Sequence, residues 1–288
     1  MIDQAQQLRF LAQVQPKPKP VTNARVITVT SGKGGVGKTN FVVNLAVYLR
    51  QKGKRVVILD ADFGLPNIEV LFGVIPKHSL TDVFDGRLTI DNVLTDGPVG
   101  IKFLSGGSGL NDISSMGDSQ LKFLIKNFEL LDANFDFIIV DTGAGISQAV
   151  ISFVKASQET ILITTPEPTS VMDAYALMKT VKENSGGMPS WELVVNRVED
   201  SREGADIYEK LAKVAGKFLG IKLESLGCIE YDPMLVKAVK RQEPTLTMFP
   251  TSLFARAMVG MGNTLLDIET EQRGGFITFV KKLSNVWK

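Results

Sequence analysis

Gly32-Lys33-Gly34-Gly35-Val36-Gly37-Lys38-Thr39 follows directly on the apolar run Val26–Thr30 and opens the helical pattern Thr39–Lys52. Glycines in such a loop let backbone N–H groups turn inward around phosphate oxygens, and the helix N-terminus adds partial positive charge. The spacing is that of a phosphate-binding loop in the strand–loop–helix context it requires. Lys38 is placed to reach the β- and γ-phosphates of a nucleotide, and the Thr39 hydroxyl to bind Mg²⁺. Gly32 to Thr39, with Asn40 one residue beyond, form the candidate nucleotide-binding segment.

Outward from this loop, short apolar runs alternate with helical patterns. Strands are expected at Val26–Thr30, Arg55–Leu59, Ile101–Leu104, Phe137–Val140, Thr160–Thr164, Leu193–Asn196 and Ser225–Ile229. Most are rich in Val and Ile, as strands covered on both faces tend to be. Helices are expected at Ser119–Leu131, Ser147–Ser157, Ser170–Glu183, Glu203–Leu219 and Leu235–Lys240, with short ones at Asn67–Leu71 and Leu80–Phe84. This order predicts an α/β fold: a doubly wound, mostly parallel sheet with right-handed crossovers, of the P-loop NTPase kind. Asp60, Asp62 and Asp141 end two of the strands. Ligands of open α/β sheets bind at such ends, and carboxylates there suit the needs of phosphoryl transfer.

The chain has 288 residues, with 32 Lys and Arg against 31 Asp and Glu, a net charge of +1. That balance excludes a uniformly basic nucleic-acid coat protein and an acidic disordered chain. At 44% hydrophobic residues and a mean hydropathy of +0.11, a folded core is expected. The distribution of charge says more than the sum. Residues 1–24 carry +2 and residues 273–288 carry +4, which leaves −5 on residues 25–272. Cys228 is the only cysteine and reads as a small, buried apolar side chain. His78, between Lys77 and Ser79, has no metal-ligand partner in sequence and reads as a surface or structural residue, not a catalytic one. With no cleavable apolar N-terminus and no membrane span, the expected location is the cytoplasm.

Lys33 is a second lysine inside the loop. Lys33-Gly34-Gly35-Val36-Gly37-Lys38-Thr39 resembles the deviant Walker A motif of the MinD/ParA ATPases. The resemblance implies that Lys33 reaches across an ATP-bound homodimer to the partner's nucleotide, so that Lys33, Lys38 and Asp62 form the catalytic set. It likens Leu59–Asn67 to switch I, with Asp62 orienting the attacking water and Asp60 helping to hold the metal shell. Phe137–Thr142 is similar to a Walker B strand, with Asp141 on the metal side and Gly143-Ala144-Gly145 as switch II. Asn196-Arg197 is similar to the motif whose asparagine contacts adenine, an edge that a side-chain amide can match. The segment Gly227–Asp232 departs from the family pattern, which usually has proline where this chain has Glu230. The implied cofactors are ATP or ADP and Mg²⁺.

The two ends add detail. At about 100° per residue, Phe276, Phe279, Val280, Leu283, Val286 and Trp287 share an arc of roughly 120°, with Lys281 and Lys282 on the other side. Such a basic amphipathic helix suits an anionic membrane surface, and MinD-type ATPases carry one. A last core helix packed on the domain has the same pattern. Near the other end, Asp3-Gln4-Ala5-Gln6-Gln7-Leu8-Arg9 resembles an element of the FlhG family, MinD-like regulators of flagellar number and placement. There Asp3, Gln4, Ala5, Leu8 and Arg9 match an activator of FlhF, a signal-recognition-type GTPase, and Gln4 matches its key glutamine. Gln15-Pro16-Lys17-Pro18-Lys19-Pro20 reads as an extended spacer.

The expected organisation is therefore an activator element at 1–14, a linker at 15–24, an ATPase domain at 25–272 and a membrane-targeting helix at 273–288. The resemblance further implies flagellar basal-body (C-ring) partners and reversible attachment to the inner face of the cell membrane. The alternative is a ParA-type DNA- or cargo-positioning ATPase, but the acidic body argues against nonspecific DNA binding. No specific nucleic acid is expected.

Overall fold

The computed structural model describes residues 24–63, 67–107, 130–184, 188–267 and 275–286. The activator element, most of the linker and most of the helix expected at Ser119–Leu131 lie outside these residues. Asp3, Gln4, Ala5, Leu8, Arg9 and Trp287 do too, as does the side chain of Val286.

The elements run β1 (Arg25–Ser31), α1 (Lys38–Gln51), β2 (Val56–Ala61), α2 (Ile68–Phe72), α3 (Leu80–Phe84) and α4 (Ile90–Val93). There follow β3 (Thr95–Asp96), β4 (Lys102–Leu104), β5 (Phe137–Ala144), α5 (Gln148–Ala156), β6 (Glu159–Thr164) and α6 (Pro168–Glu183). The chain continues through β7 (Ser190–Val198), α7 (Ser201–Val214), β8 (Leu223–Glu230), α8 (Pro233–Lys240), α9 (Thr245–Met248), α10 (Leu253–Asp267) and α11 (Gly275–Val286). A π-helical turn, Ala215–Leu219, extends α7. All seven expected strands form. The two-residue β3, the short α4 and the long α10 were not among the expected elements.

One eight-stranded sheet has the order β3-β4-β2-β5-β1-β6-β7-β8. Every neighbouring pair is parallel except β3–β4 at the edge. Alternation along β1 shows why both faces must be covered. Ile27 and Val29 enter a core shared with α1 and α10, whereas Val26 enters one shared with α5 and α11. A third apolar cluster joins α6 and α7 to the same face further along the sheet. Burial of such strands on both faces is what drives parallel sheets to wind helices on each side.

Helix α11 packs on the domain: Phe276, Phe279, Val280 and Leu283 are all buried in the core under α5 and β1. The Asp132 carboxylate, itself buried, anchors the start of α11. It accepts the Phe276 N–H at 3.0 Å and the Ile277 N–H at 3.4 Å, and also the Ala24 N–H at 2.7 Å. Lys281 lies on the exposed side and Lys282 is half-buried. Four of the six expected lipid-facing residues therefore face protein in this conformation. The physical reason is that an apolar arc of this width fits a protein groove as well as an acyl layer. Among the described residues, no helix is long and apolar enough to cross a membrane.

Candidate nucleotide-binding site

Residues 32–37 connect β1 to α1 at the C-terminal edge of the sheet, where β5 and β6 flank β1. Gly35 and Gly37 take positive φ values of 76° and 101°. The third constraint is spatial: a β-carbon on Gly32 would lie 2.2 Å from the Asp173 carbonyl carbon in α6. Only glycine lets the loop rest on that helix. Ser31 Oγ donates to the Lys33 carbonyl at 2.8 Å and fixes the loop's entry. Gly37 then precedes α1, whose first N–H groups point at the cradle, and Lys38 and Thr39 lie in that first turn. Asn40 completes the turn; its carbonyl accepts from the Asn44 side chain at 2.8 Å.

Parallel register carries the acidic groups to the same edge. Asp60 of β2 lies opposite Asp141 of β5, and Asp141 is also paired with Val29 just before the loop. Asp141 is fully buried; its Oδ1 has no hydrogen-bond partner, and the Thr39 side chain bonds to the carboxyl. Burial pushes the Asp141 carboxyl up to about 7, the neighbouring Asp60 adds to the rise, and Lys38 opposes it. Burial likewise raises Asp60 to about 6, against the bonds it accepts from the N–H groups of Asp62 (3.1 Å), Asn67 (3.1 Å) and Ile68 (3.3 Å). Asp60 thus clamps the loop that carries Asp62. Asp62 sits against Gly143, where a β-carbon would be 3.5 Å from its Oδ1.

Two buried carboxyls on one sheet edge, one with an orphaned oxygen, are chemically suited to a bound cation. Among the described residues no three His, Cys, Asp or Glu side chains gather into a metal cage. Mg²⁺ is usually held by one or two side chains, phosphate and water. Thr39 and Asp141 are the side chains placed to hold it, with Asp60 behind them.

Asn196 is at this edge but engaged with the loop. Its Nδ2 donates to the Val36 carbonyl at 2.7 Å, and its Oδ1 accepts the Arg197 N–H at 2.9 Å. Arg197 adopts a positive φ of 61°. In this conformation the amide props the phosphate loop. Lys33 has a partner that the sequence did not suggest: its Nζ lies 2.6 Å from Glu167 and 3.1 Å from the Thr169 hydroxyl. Lys33 holds the Glu167 carboxyl below the usual carboxylate range. Glu167 follows Thr164-Thr165-Pro166 at the C-terminal end of β6, so its strand-end position was the available signal. Cys228 is half-buried against Gly204 and not fully enclosed, and burial raises its thiol pKa. His78 is on the surface, its imidazole 3.9 Å from Asp82.

The chain matches known proteins in agreement with this geometry. The family of CobQ/CobB/MinD/ParA nucleotide binding domains matches residues 27–246. The antiactivator FleN of Pseudomonas aeruginosa is 40% identical over 261 residues, covering 90% of this chain and 93% of FleN. The flagellum site-determining protein YlxH of Helicobacter pylori is 32% identical over 267 residues, 91% of this chain and 90% of YlxH. The septum site-determining protein MinD of Pyrococcus horikoshii, solved with Mg-ADP, shares the fold. Its TM-score is 0.69 at 24% identity, over 85% of this chain and 97% of that one.

Proposed function

Because the chain belongs to the CobQ/CobB/MinD/ParA nucleotide-binding family and is a relative of FleN and YlxH, we propose that it is a Mg²⁺-ATP-dependent dimerising switch that sets flagellar number and placement. The observation that carries this reading is the meeting of Lys38, Thr39, Asp60, Asp62 and Asp141 at one sheet edge, with Lys33 at the mouth of the loop. Bound Mg²⁺-ATP supplies the phosphoanhydride and the charge that this edge balances. The loop N–H groups and Lys38 hold the phosphates, and Asp62 orients the attacking water. Lys33 acts in trans, so it must first leave Glu167 and Thr169. Hydrolysis to ADP and phosphate is slow and resets the switch.

Two appendages give the switch its outputs. The N-terminal element, at the end of a proline-rich spacer, docks on an FlhF-type GTPase and supplies Gln4 in trans. Helix α11 leaves its groove in the ATP dimer and lays its apolar face in the anionic inner surface of the cell membrane, where basal-body proteins are the further partners. The pattern Phe276, Phe279, Val280 and Leu283, flanked by Lys281 and Lys282, supports a helix able to exchange protein for lipid.

Size-exclusion chromatography with light scattering, paired with vesicle cosedimentation, tests this. Wild-type protein in Mg²⁺-ATP should elute as a dimer and pellet with anionic vesicles but not with neutral ones. Lys33→Ala should bind ATP yet remain monomeric and in the supernatant. An ATP dimer of that variant would end the trans role of Lys33, and equal pelleting with both vesicle types would remove the membrane output.

A further inference from the structure

A file of aromatic rings runs from the switch loop to the C-terminal helix. Phe63, next in sequence to Asp62, lies 5.9 Å from Phe153 of α5 between ring centroids. Phe153 lies 6.1 Å from Phe279 of α11, and Phe279 stacks on Phe276 at 5.5 Å with an interplanar angle of 13°. These separations are those of interacting aromatic pairs. Phe153, Phe276 and Phe279 are buried, and Phe63 packs on the same cluster.

Both inner ends of the file are tied to the nucleotide edge. Phe63 rides on the loop that the Asp60 carboxylate clamps through the backbone of Asp62, Asn67 and Ile68. A group that recruits Asp60 toward the metal shell competes with that clamp. Phe153 sits on α5, which starts at Ser147 just beyond Gly143-Ala144-Gly145; the Ser147 side chain accepts the Val150 N–H at 3.3 Å. Gly145 in turn donates its N–H to the Ser31 carbonyl at 2.9 Å, at the entry to the phosphate loop. The Phe63 ring also packs close to Gly106, where a β-carbon would be 2.7 Å from its Cδ1. A ring packed close to both Gly106 and Phe153 passes a displacement of Phe63 to Phe153, because packed interiors shift between discrete arrangements and do not deform smoothly.

We propose that Phe63 and Phe153 form the coupling between the nucleotide site and α11: nucleotide that draws the Asp60 carboxylate from its bonds to Asp62, Asn67 and Ile68 displaces these rings and weakens the seat of Phe279 and Phe276. This rests on the proposed nucleotide-dependent release of α11 and adds the route. Phe63 and Phe153 are positioning residues: their rings pack on aromatic and apolar neighbours and carry no group that ligates phosphate or metal. Linkage makes the effect reciprocal, so a docked α11 also disfavours the ATP-bound arrangement of the loops.

Amide hydrogen exchange over residues 276–283 of the full chain tests the coupling, with Mg²⁺-ADP compared with a non-hydrolysable Mg²⁺-ATP analogue. In wild type the analogue should speed exchange there by at least about fivefold, within the usual range of allosteric coupling. Phe153→Leu keeps an apolar side chain but removes the ring; its response should fall within about twofold of no change while it still binds the analogue and dimerises. Phe63→Leu should do the same, and the double variant should add nothing further, as expected for residues acting in one chain of contacts. Should Phe153→Leu fail to fold, Phe63→Leu decides alone. A full wild-type response retained in both variants overturns the aromatic coupling and leaves nucleotide-driven release standing. No response in wild type, with analogue bound and dimers formed, overturns the release itself and the coupling with it.

Discussion

Asp141 shows how a single side chain can be set by burial for a ligand. Its carboxyl is enclosed, carries an oxygen without a partner and has its pKa pushed up to about 7, while Asp60 beside it is raised to about 6. A carboxyl whose pKa rises on folding stabilises the fold most fully below its unfolded value, and that contribution is lost as pH rises through the folded value. For these two groups the window runs from about pH 4 to about pH 7. Nucleotide-free protein should therefore lose thermal stability as pH rises across it. Asp141→Asn, which cannot take on the buried charge, should melt higher than wild type at pH 8 and show a flatter profile. A melting series at several pH values checks this, and a variant less stable than wild type at pH 8 would contradict it. At this scale the sequence was informative for Lys38, Thr39 and the aspartates, because loop spacing and strand ends fix where they must lie. It was silent on Glu167 as the seat of Lys33, and on Asn196 as a prop under Val36, because both contacts join segments more than a hundred residues apart.

Helix α11 is the element where sequence and structure part. Its apolar arc is legible from Phe276 to Leu283, yet what that arc meets is decided by a groove built from α5, β1 and the residues around Asp132. Asp132 accepts backbone N–H groups from both Ala24 and Phe276, so one buried carboxylate holds the start of the domain and the start of its last helix. Asp132→Ala leaves these donors without a partner, at roughly 1–3 kcal/mol for each that stays buried. The variant should melt lower, and α11 should exchange its amides faster than the rest of the molecule even without nucleotide. Uniform acceleration across all elements would instead assign Asp132 a purely global role. The expected helix Glu203–Leu219 shows a milder difference: α7 ends at Val214 and continues as a π-helical turn through Leu219. Its apolar spacing runs on through that change, so no sign of it is legible in the residues.

For the whole molecule, the near-neutral charge is a sum of unlike parts: +2 on residues 1–24, −5 on the body and +4 on residues 273–288. Docking of α11 on the domain places Lys281 and Lys282 beside the acidic body in this conformation. The arm lies outside the described residues, so its role is tested apart from the fold. A synthetic peptide of residues 1–20 should accelerate GTP hydrolysis by the cognate FlhF-type GTPase, and the same peptide with Gln4→Ala should not; a phosphate-release assay without stimulation by either would remove that output. The sequence by itself determined the sheet, its winding and the nucleotide edge. Those follow from local patterns, apolar runs of strand length and a glycine-rich turn, that need no knowledge of distant neighbours. Only the tertiary structure decided that Lys33 rests on Glu167, that the carboxyls of Asp60 and Asp141 are driven toward protonation, and that α11 is seated in the core. Each of those depends on desolvation or on contacts between remote segments, and these exist only once the chain has folded.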